Sequence, residues 1–289
     1  MPRLTLNAGQ PFSLDITLSC GQVFRWEKEA GGWWCGVVGN RLIRIRQDGD
    51  LLKYKGADRH CIEHYFSLDQ DLGNIISSFD RDPIIRAAVE RCRGLRLIRQ
   101  SPWECLISYI CSTNSNIPMI KKRINNIAQA FGDPIESGGR TYYGFPGPEA
   151  LAGSSASVLS ECKMGYRGNY VQKTACDISY EDDWEQSIGS LPYEKARKSL
   201  MKLKGIGPKA ADCILLFAFQ KYESFPVDVW IRRIMRENYL PELSGGSSLT
   251  NREYDMIRSF AREYFGEYCG YAQEYLYAAR EDSSKNDMF

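Results

Sequence analysis

The stretch from Leu203 to Cys213, LKGIGPKAADC, decides how this chain is read. Before it, PYEKARKSLMKLK carries apolar residues at helical spacing; after it, AADCILLFAF continues as an apolar helix. The spacing predicts two helices joined across Gly205-Ile206-Gly207. Two glycines allow a sharp turn with positive φ. Ile206 is placed to tuck inward, and Pro208 suits the first position of the second helix. The first amides of that helix have no internal acceptor. The loop is therefore either a plain tight turn or a cradle for an anion, and the basic approach with the Pro208-Lys209 exit favours the cradle.

Lys209 is the unusual residue of the stretch. A purely structural lysine extends into solvent. This one stands in the first turn of a helix, where a second positive charge is disfavoured and a neutral, attacking amine is favoured. Cys213 follows one turn later on the same side. Nineteen residues after Lys209, in FPVDVWIRRIM, comes Asp228. It is placed to cap the next helix, or to aim a carboxylate at the same point as the lysine. An amine and a carboxylate so paired suit displacement at a sugar carbon, where developing oxocarbenium charge needs stabilising.

Composition sets the frame. The 289 residues are 43% hydrophobic and 25% charged, as in ordinary globular proteins, and allow two or three subdomains. The longest central apolar run, Cys213 to Phe219, is too short to span a bilayer. The N-terminus carries no long apolar core of a signal peptide, so the expected location is the cytoplasm or nucleoid. Ten cysteines without a C-x-x-C pair then read as reduced thiols. His60 and His64 alone make no zinc pattern, and no metal or cofactor is expected. A net charge of +1 excludes binding nucleic acid by bulk charge alone. Charge is concentrated locally, however. Between Pro192 and Lys221 stand seven basic residues (Lys195, Arg197, Lys198, Lys202, Lys204, Lys209, Lys221) against Glu194 and Asp212. Lys121-Lys122-Arg123 forms a second cluster. Each cluster is either a solvated helix face or a contact surface.

The chain changes character along its length. The first residues read as an antiparallel meander, with turns at Gly31-Gly32 and a type I′ turn at Asp48-Gly49. Past Cys61 helices are expected, and from Pro102 nearly everything reads as helix. PWECLISYIC is followed by a break at Thr113-Asn114-Ser115. The next helix has Pro118 just inside its start and Gly132 just past its end. Asp133 to Ser157, rich in Gly, Pro and Ser, is the longest expected loop. The domain reading is 1–100 for the sheet domain with flanking helices, 101–280 for the helical body, and 281–289 for a disordered tail.

The Gly205-Ile206-Gly207 segment resembles the helix–hairpin–helix motif, which grips a DNA phosphate without reading bases. With PVDVW it resembles the HhH-GPD superfamily of DNA base-excision glycosylases, and within that the 8-oxoguanine DNA glycosylase/AP lyase family. GQVFRW, SPWECLISYICSTNSNI, YYGFP, MGYRGNYV and GYAQEYLY are also similar to family segments, in the family order. The resemblance covers almost the whole chain. It implies an α+β fold, an N-terminal antiparallel sheet domain on a two-lobed helical body, with the active site between the lobes.

It also implies roles. Lys209 would attack C1′ and form a Schiff base, and Asp228 would assist. Gly21 would offer its carbonyl to N7–H of 8-oxoguanine. Gln273 would read the Watson–Crick edge, with Tyr277 and Cys213 on the two faces of the flipped base. Tyr166 would be the wedge, and Asn114 and Arg167 would fill the gap and meet the opposite base. Gly205, Ile206 and Gly207 would hold the backbone. The implied partner is double-stranded DNA containing 8-oxoguanine, bound by a monomer. Two positions depart from the pattern. Met119 stands where eukaryotic relatives carry an arginine that selects cytosine, which implies weaker opposite-base discrimination. Trp230 replaces a histidine near the phosphate. The alternatives are a glycosylase for another lesion and a non-catalytic DNA-binding hairpin protein.

Overall fold

A computed structural model describes residues 1–7, 9–181, 183–243 and 248–280; the expected tail at 281–289 lies outside the described residues. Five strands, β1 (Arg3–Thr5), β2 (Trp26–Lys28), β3 (Trp34–Val38), β4 (Arg41–Asp48) and β5 (Leu51–Lys55), form one antiparallel sheet in the order β1-β5-β4-β3-β2. Alternation along the central strands sends Ile43, Ile45, Leu52 and Tyr54 into a small core with Trp26 and Phe66. A short helix, α1 (Leu14–Ser19), interrupts the meander after β1 and was not expected; Ser13 caps it. The β4–β5 turn falls one residue later than expected. Its linking residues are Gly49 and Asp50, and only Gly49 (φ +57) has positive φ, which excludes type I′.

The helical part begins with α2 (Arg59–Tyr65), α3 (Leu72–Phe79), α4 (Pro83–Arg91), α5 (Pro102–Ser112) and α6 (Ile117–Phe131). Asn116 caps α6 through the amide of Met119 (3.0 Å), and Gly132 follows its end. The loop expected from Asp133 to Ser157 is largely structured. It holds the hairpin β6 (Pro134–Ser137) and β7 (Arg140–Tyr143), then α7 (Pro148–Ala152) and the start of α8 (Ala156–Glu161). Four-residue strands and five-residue helices are too short to display a period among so many turn-forming residues. The body continues with α9 (Arg167–Ser179), α10 (Trp184–Ser190), α11 (Tyr193–Leu200), α12 (Pro208–Phe219), α13 (Val229–Asn238), α14 (Asn251–Phe265) and α15 (Cys269–Ala278). α3 and α4, although early in the chain, pack into the helical core with α5, α12 and α15. All ten cysteines are free. Among the described residues no helix is long and apolar enough to cross a membrane.

Two polar devices fix the parts that matter for the site. Asp212, fully buried on α12, accepts from Tyr193 of α11 (2.6 Å), Tyr254 of α14 (2.6 Å) and Arg197 Nε (3.0 Å). Burial lifts its pKa above the ordinary carboxylate value, and the Arg197 charge and the two hydroxyls pull it back. Gln22, 1% exposed, joins the sheet domain to the chain entering α5. Its side chain donates to Thr17 O (3.1 Å) and Arg96 O (2.9 Å) and accepts from the Ile98 amide (2.7 Å). Gln100 donates back to the Gln22 carbonyl (2.6 Å).

Removing one partner of a buried ion pair strands the other. Asp212→Ala is therefore expected to lower the free energy of unfolding by about 3–5 kcal/mol, measured by urea denaturation.

Candidate active site

The hairpin between α11 and α12 is built as the sequence suggests, with one correction. Gly205 has φ +86, and a Cβ there would lie 2.7 Å from Tyr170 Cδ2. Gly207 is extended (φ −94, ψ −177), not left-handed. Nothing lies within 4 Å of where its Cβ would be. Gly205 thus serves the turn, whereas Gly207 keeps an open face for close approach. Ile206 is buried (5% exposed) and anchors the loop in the core. Gly207 precedes α12 without a side-chain cap, so amides of the first turn remain free to bind an anion.

The basic segment around the hairpin divides. Lys195, Lys198, Lys202 and Lys204 are exposed. Arg197 is buried against Asp212, and Lys221 donates to Gly189 O (3.0 Å). The Lys121-Lys122-Arg123 cluster likewise loses Arg123. It is buried and donates to Lys163 O (3.0 Å), Cys111 O (3.2 Å) and Ser115 Oγ (2.6 Å).

Lys209 leaves α12 half-buried, its ammonium 4.9 Å from the centroid of the Tyr109 ring. Asp228 caps α13: Oδ1 accepts from the amides of Trp230 (3.0 Å) and Ile231 (2.8 Å), and Oδ2 takes no part in the cap. Capping and aiming are therefore compatible. Lys209 and Asp228 both act electrostatically on one buried carboxyl, Glu274 of α15.

The other expected site residues lie on three segments, the turn after α1, α12 and α15. Gly21 (φ +104) lies against Tyr277: its Cβ position is 3.7 Å from Tyr277 Cε1. Gln273 and Tyr277 stand one turn apart on α15, with Gln273 5% exposed and its Oε1 unpaired. The back of the Tyr277 ring carries the Arg280 guanidinium, 3.7 Å from the centroid. Cys213 is buried beside the Tyr109 hydroxyl; burial pushes its thiol up to about 11, against the pull of Lys209, so it is neutral at physiological pH. Sequence reading assigned no role to Gln22, Tyr109, Arg280 or Glu274. Gln22 and Tyr109 meet partners far away in the chain, Arg280 meets Tyr277 three residues before it, and the one local signal for Glu274 was a carboxylate next to Gln273.

A second group forms a rim. Tyr166, 50% exposed, is a large aromatic left open at the start of α9. Arg167 stacks on its ring (4.5 Å) but is itself buried; it donates to the carbonyls of Thr113 and Asn114. Its guanidinium thus holds the 113–114 turn, in which Asn114 takes the left-handed conformation (φ +47) and is exposed. Met119 follows on α6, half-buried. Trp230 lines a neighbouring cavity of about 480 Å³ with Arg91, Arg233 and Arg280.

A helix–hairpin–helix followed by a helix capped by an aspartate, joined to an antiparallel sheet domain, is the architecture of the helix–hairpin–helix class of DNA glycosylase folds. Comparison with known proteins narrows the class. The model of the "8-oxoguanine DNA glycosylase, N-terminal domain" family matches residues 3–106. The chain is 34% identical over 298 residues to the "Probable N-glycosylase/DNA lyase" of Methanothermobacter thermautotrophicus, covering 92% of each protein. It is 30% identical over 321 residues to the "N-glycosylase/DNA lyase" of Saccharomyces cerevisiae, covering 96% of this chain and 85% of that one. The solved Clostridium acetobutylicum 8-oxoguanine glycosylase/lyase, in complex with dsDNA containing cytosine opposite 8-oxoG, superposes with a TM-score of 0.85 at 35% identity, over 92% of this chain and 91% of that one. The chain belongs to the 8-oxoguanine DNA glycosylase/AP lyase family.

The two hairpin glycines should behave differently. Gly205→Ala forces a side chain into positive φ against Tyr170 and is expected to cost about 1–3 kcal/mol of stability. Gly207→Ala is expected to melt like wild type yet bind duplex DNA roughly tenfold more weakly, because the methyl intrudes on the phosphate approach. Thermal melting and duplex titration of both variants check this.

Proposed function

We propose that the chain is a bifunctional DNA glycosylase/AP lyase that excises 8-oxoguanine from duplex DNA through a lysine Schiff base. What supports the reading is that Lys209 and Asp228 stand at the starts of consecutive helices and both act electrostatically on Glu274 of α15, the helix that carries Gln273 and Tyr277, with Tyr277 lying against Gly21. The reading takes the working unit to be a monomer. It places the enzyme in the cytoplasm or nucleoid, where its duplex substrate is found.

The hairpin amides and exposed lysines grip the backbone, and the target nucleotide is flipped out of the stack. Tyr166 and Asn114 support the gap left behind. Recognition rests on N7. In guanine it is an acceptor; in 8-oxoguanine it carries a hydrogen. The Gly21 carbonyl accepts from the lesion and faces a lone pair on guanine, so the wrong base leaves a buried acceptor unpaired. The Lys209 amine then attacks C1′ through its nitrogen lone pair. The C1′–N9 bond breaks, and its electron pair leaves with the base, which takes up a proton. Asp228 stabilises the positive charge that builds on the sugar. Loss of a proton from the attached nitrogen and ring opening give the imine. Removal of a C2′ proton then expels the 3′ phosphate by β-elimination. An amine nucleophile, unlike water, makes the second reaction possible.

Borohydride trapping on duplexes containing 8-oxoguanine is the test. Wild type is expected to give a covalent adduct, Lys209→Gln none, and Asp228→Asn an adduct formed roughly 10²–10³-fold more slowly. An active wild type that gives no adduct on any lesion would overturn the mechanism. The same assay against four opposite bases tests Met119. A thioether has no donor for cytosine, so the rates are expected to vary less with the opposite base than in a relative carrying arginine there.

A further inference from the structure

The Tyr109 ring, on α5, has no part in the mechanism above, yet it touches the nucleophile. Lys209 Nζ stands over it, 4.9 Å from the centroid. Among the described residues no carboxylate or carbonyl bonds this ammonium, so the ring is its partner. A lysine carries its charge on a flexible four-carbon stem, which samples many rotamers when nothing holds it. The face of an aromatic ring is electronegative and attracts a cation within about 6 Å of its centroid.

The ring is itself fixed, by the same elements that build the site. Tyr109 is 3% exposed. Phe217 of α12 lies parallel to it, with ring centroids 6.2 Å apart and planes inclined by 8°. Phe24 meets it edge-on, at 6.2 Å and 74°. Phe24 belongs to the segment that carries Gly21, three residues before it. Lys209, Cys213 and Phe217 follow one another at intervals of four and form one stripe of α12. Tyr109 meets both ends of that stripe. The backbone joins the same parts a second time. The Gln100 amide donates to the Phe217 carbonyl (2.9 Å), and the Gln100 side chain donates to the Gln22 carbonyl (2.6 Å). A ring clamped in this way keeps one orientation, and what it holds stays in register with the Gly21 segment.

We propose that Tyr109 is a positioning residue for the nucleophile: the face of its clamped ring holds the Lys209 side chain in the orientation from which the amine reaches C1′. The inference rests on the reading of the pocket given above. The contact is made by the ring face and not by the hydroxyl, so the position requires an electron-rich ring. An ion pair with Asp228 would hold the lysine more firmly, but it would engage the carboxylate that the reading assigns to the sugar. The ring holds the cation and leaves that carboxylate free. The attraction is between a charge and a ring quadrupole, so it is lost with the charge, and the ring releases the amine when the proton leaves.

The test places phenylalanine, trifluorophenylalanine or pentafluorophenylalanine at position 109 and measures single-turnover adduct formation under borohydride on a duplex containing 8-oxoguanine. Fluorine draws electrons from the ring face while nearly preserving its shape. Tyr109→Phe is expected to trap within about twofold of wild type, and the pentafluoro protein roughly tenfold more slowly, with the trifluoro protein between them. Duplex affinity and melting temperature are expected to stay constant along the series, which separates positioning from a purely structural part. A rate that does not fall with fluorine content overturns the inference, as does one that falls only in step with duplex affinity or melting temperature. Where the pentafluoro protein does not fold, the trifluoro protein decides. Absence of any Lys209-dependent adduct from wild type overturns the pocket reading itself.

Discussion

The Asp212 carboxylate is the interaction on which the geometry of the site depends. It belongs to α12 between Lys209 and the core, and it ties that helix to α11 through Tyr193 and Arg197 and to α14 through Tyr254. Ser224 donates to the Asp212 carbonyl (2.7 Å), and the Val227 amide donates to the Tyr254 hydroxyl (3.3 Å). The segment that delivers Asp228 is therefore anchored to the same hub as the helix that carries Lys209. Neither residue could be aimed at the other by its own helix alone. A buried ion pair contributes little net stability compared with apolar packing. Its worth here is positional, because it leaves two consecutive helix starts one arrangement.

The two carboxyls near Lys209 show how environment divides labour between like groups. Asp228 is half-exposed and accepts two backbone amides. Glu274 is sealed from water with one oxygen unpaired, and burial moves its proton affinity toward neutrality. The Asp228 charge adds to burial in raising Glu274.

What could be read in the sequence was local. Helix caps lie within three residues of the amides they bond, so Asn116 and Gly132 around α6, Pro208 at α12 and Asp228 at α13 left visible marks. The hairpin was visible for the same reason, although only the structure separates the strained Gly205 from the open Gly207. The unread features have distant partners. Gln22 meets Arg96 and Ile98, more than seventy positions on. Asp212 looked like a surface charge opposing a basic patch, yet it bonds a tyrosine forty-two residues away. No periodicity encodes such pairs. The hairpin of β6 and β7 was missed for the opposite reason, being too short for any period to emerge from a Gly- and Pro-rich stretch.

The near-neutral charge of the chain also takes on a different meaning. Counted along the sequence, the arginines are a reservoir for binding phosphate. In the fold several are spent on holding loops. Arg96 donates to Ser67 O (2.6 Å) and Gln70 O (3.0 Å), while Arg123 and Arg167 grip both sides of the Thr113–Ser115 turn. A guanidinium with several donors suits this task, since one side chain can satisfy carbonyls from two segments. Among the cations left exposed are the lysines of the hairpin, flanking an uncapped helix start. A hairpin so built offers a duplex a few directed phosphate contacts at one place rather than bulk charge.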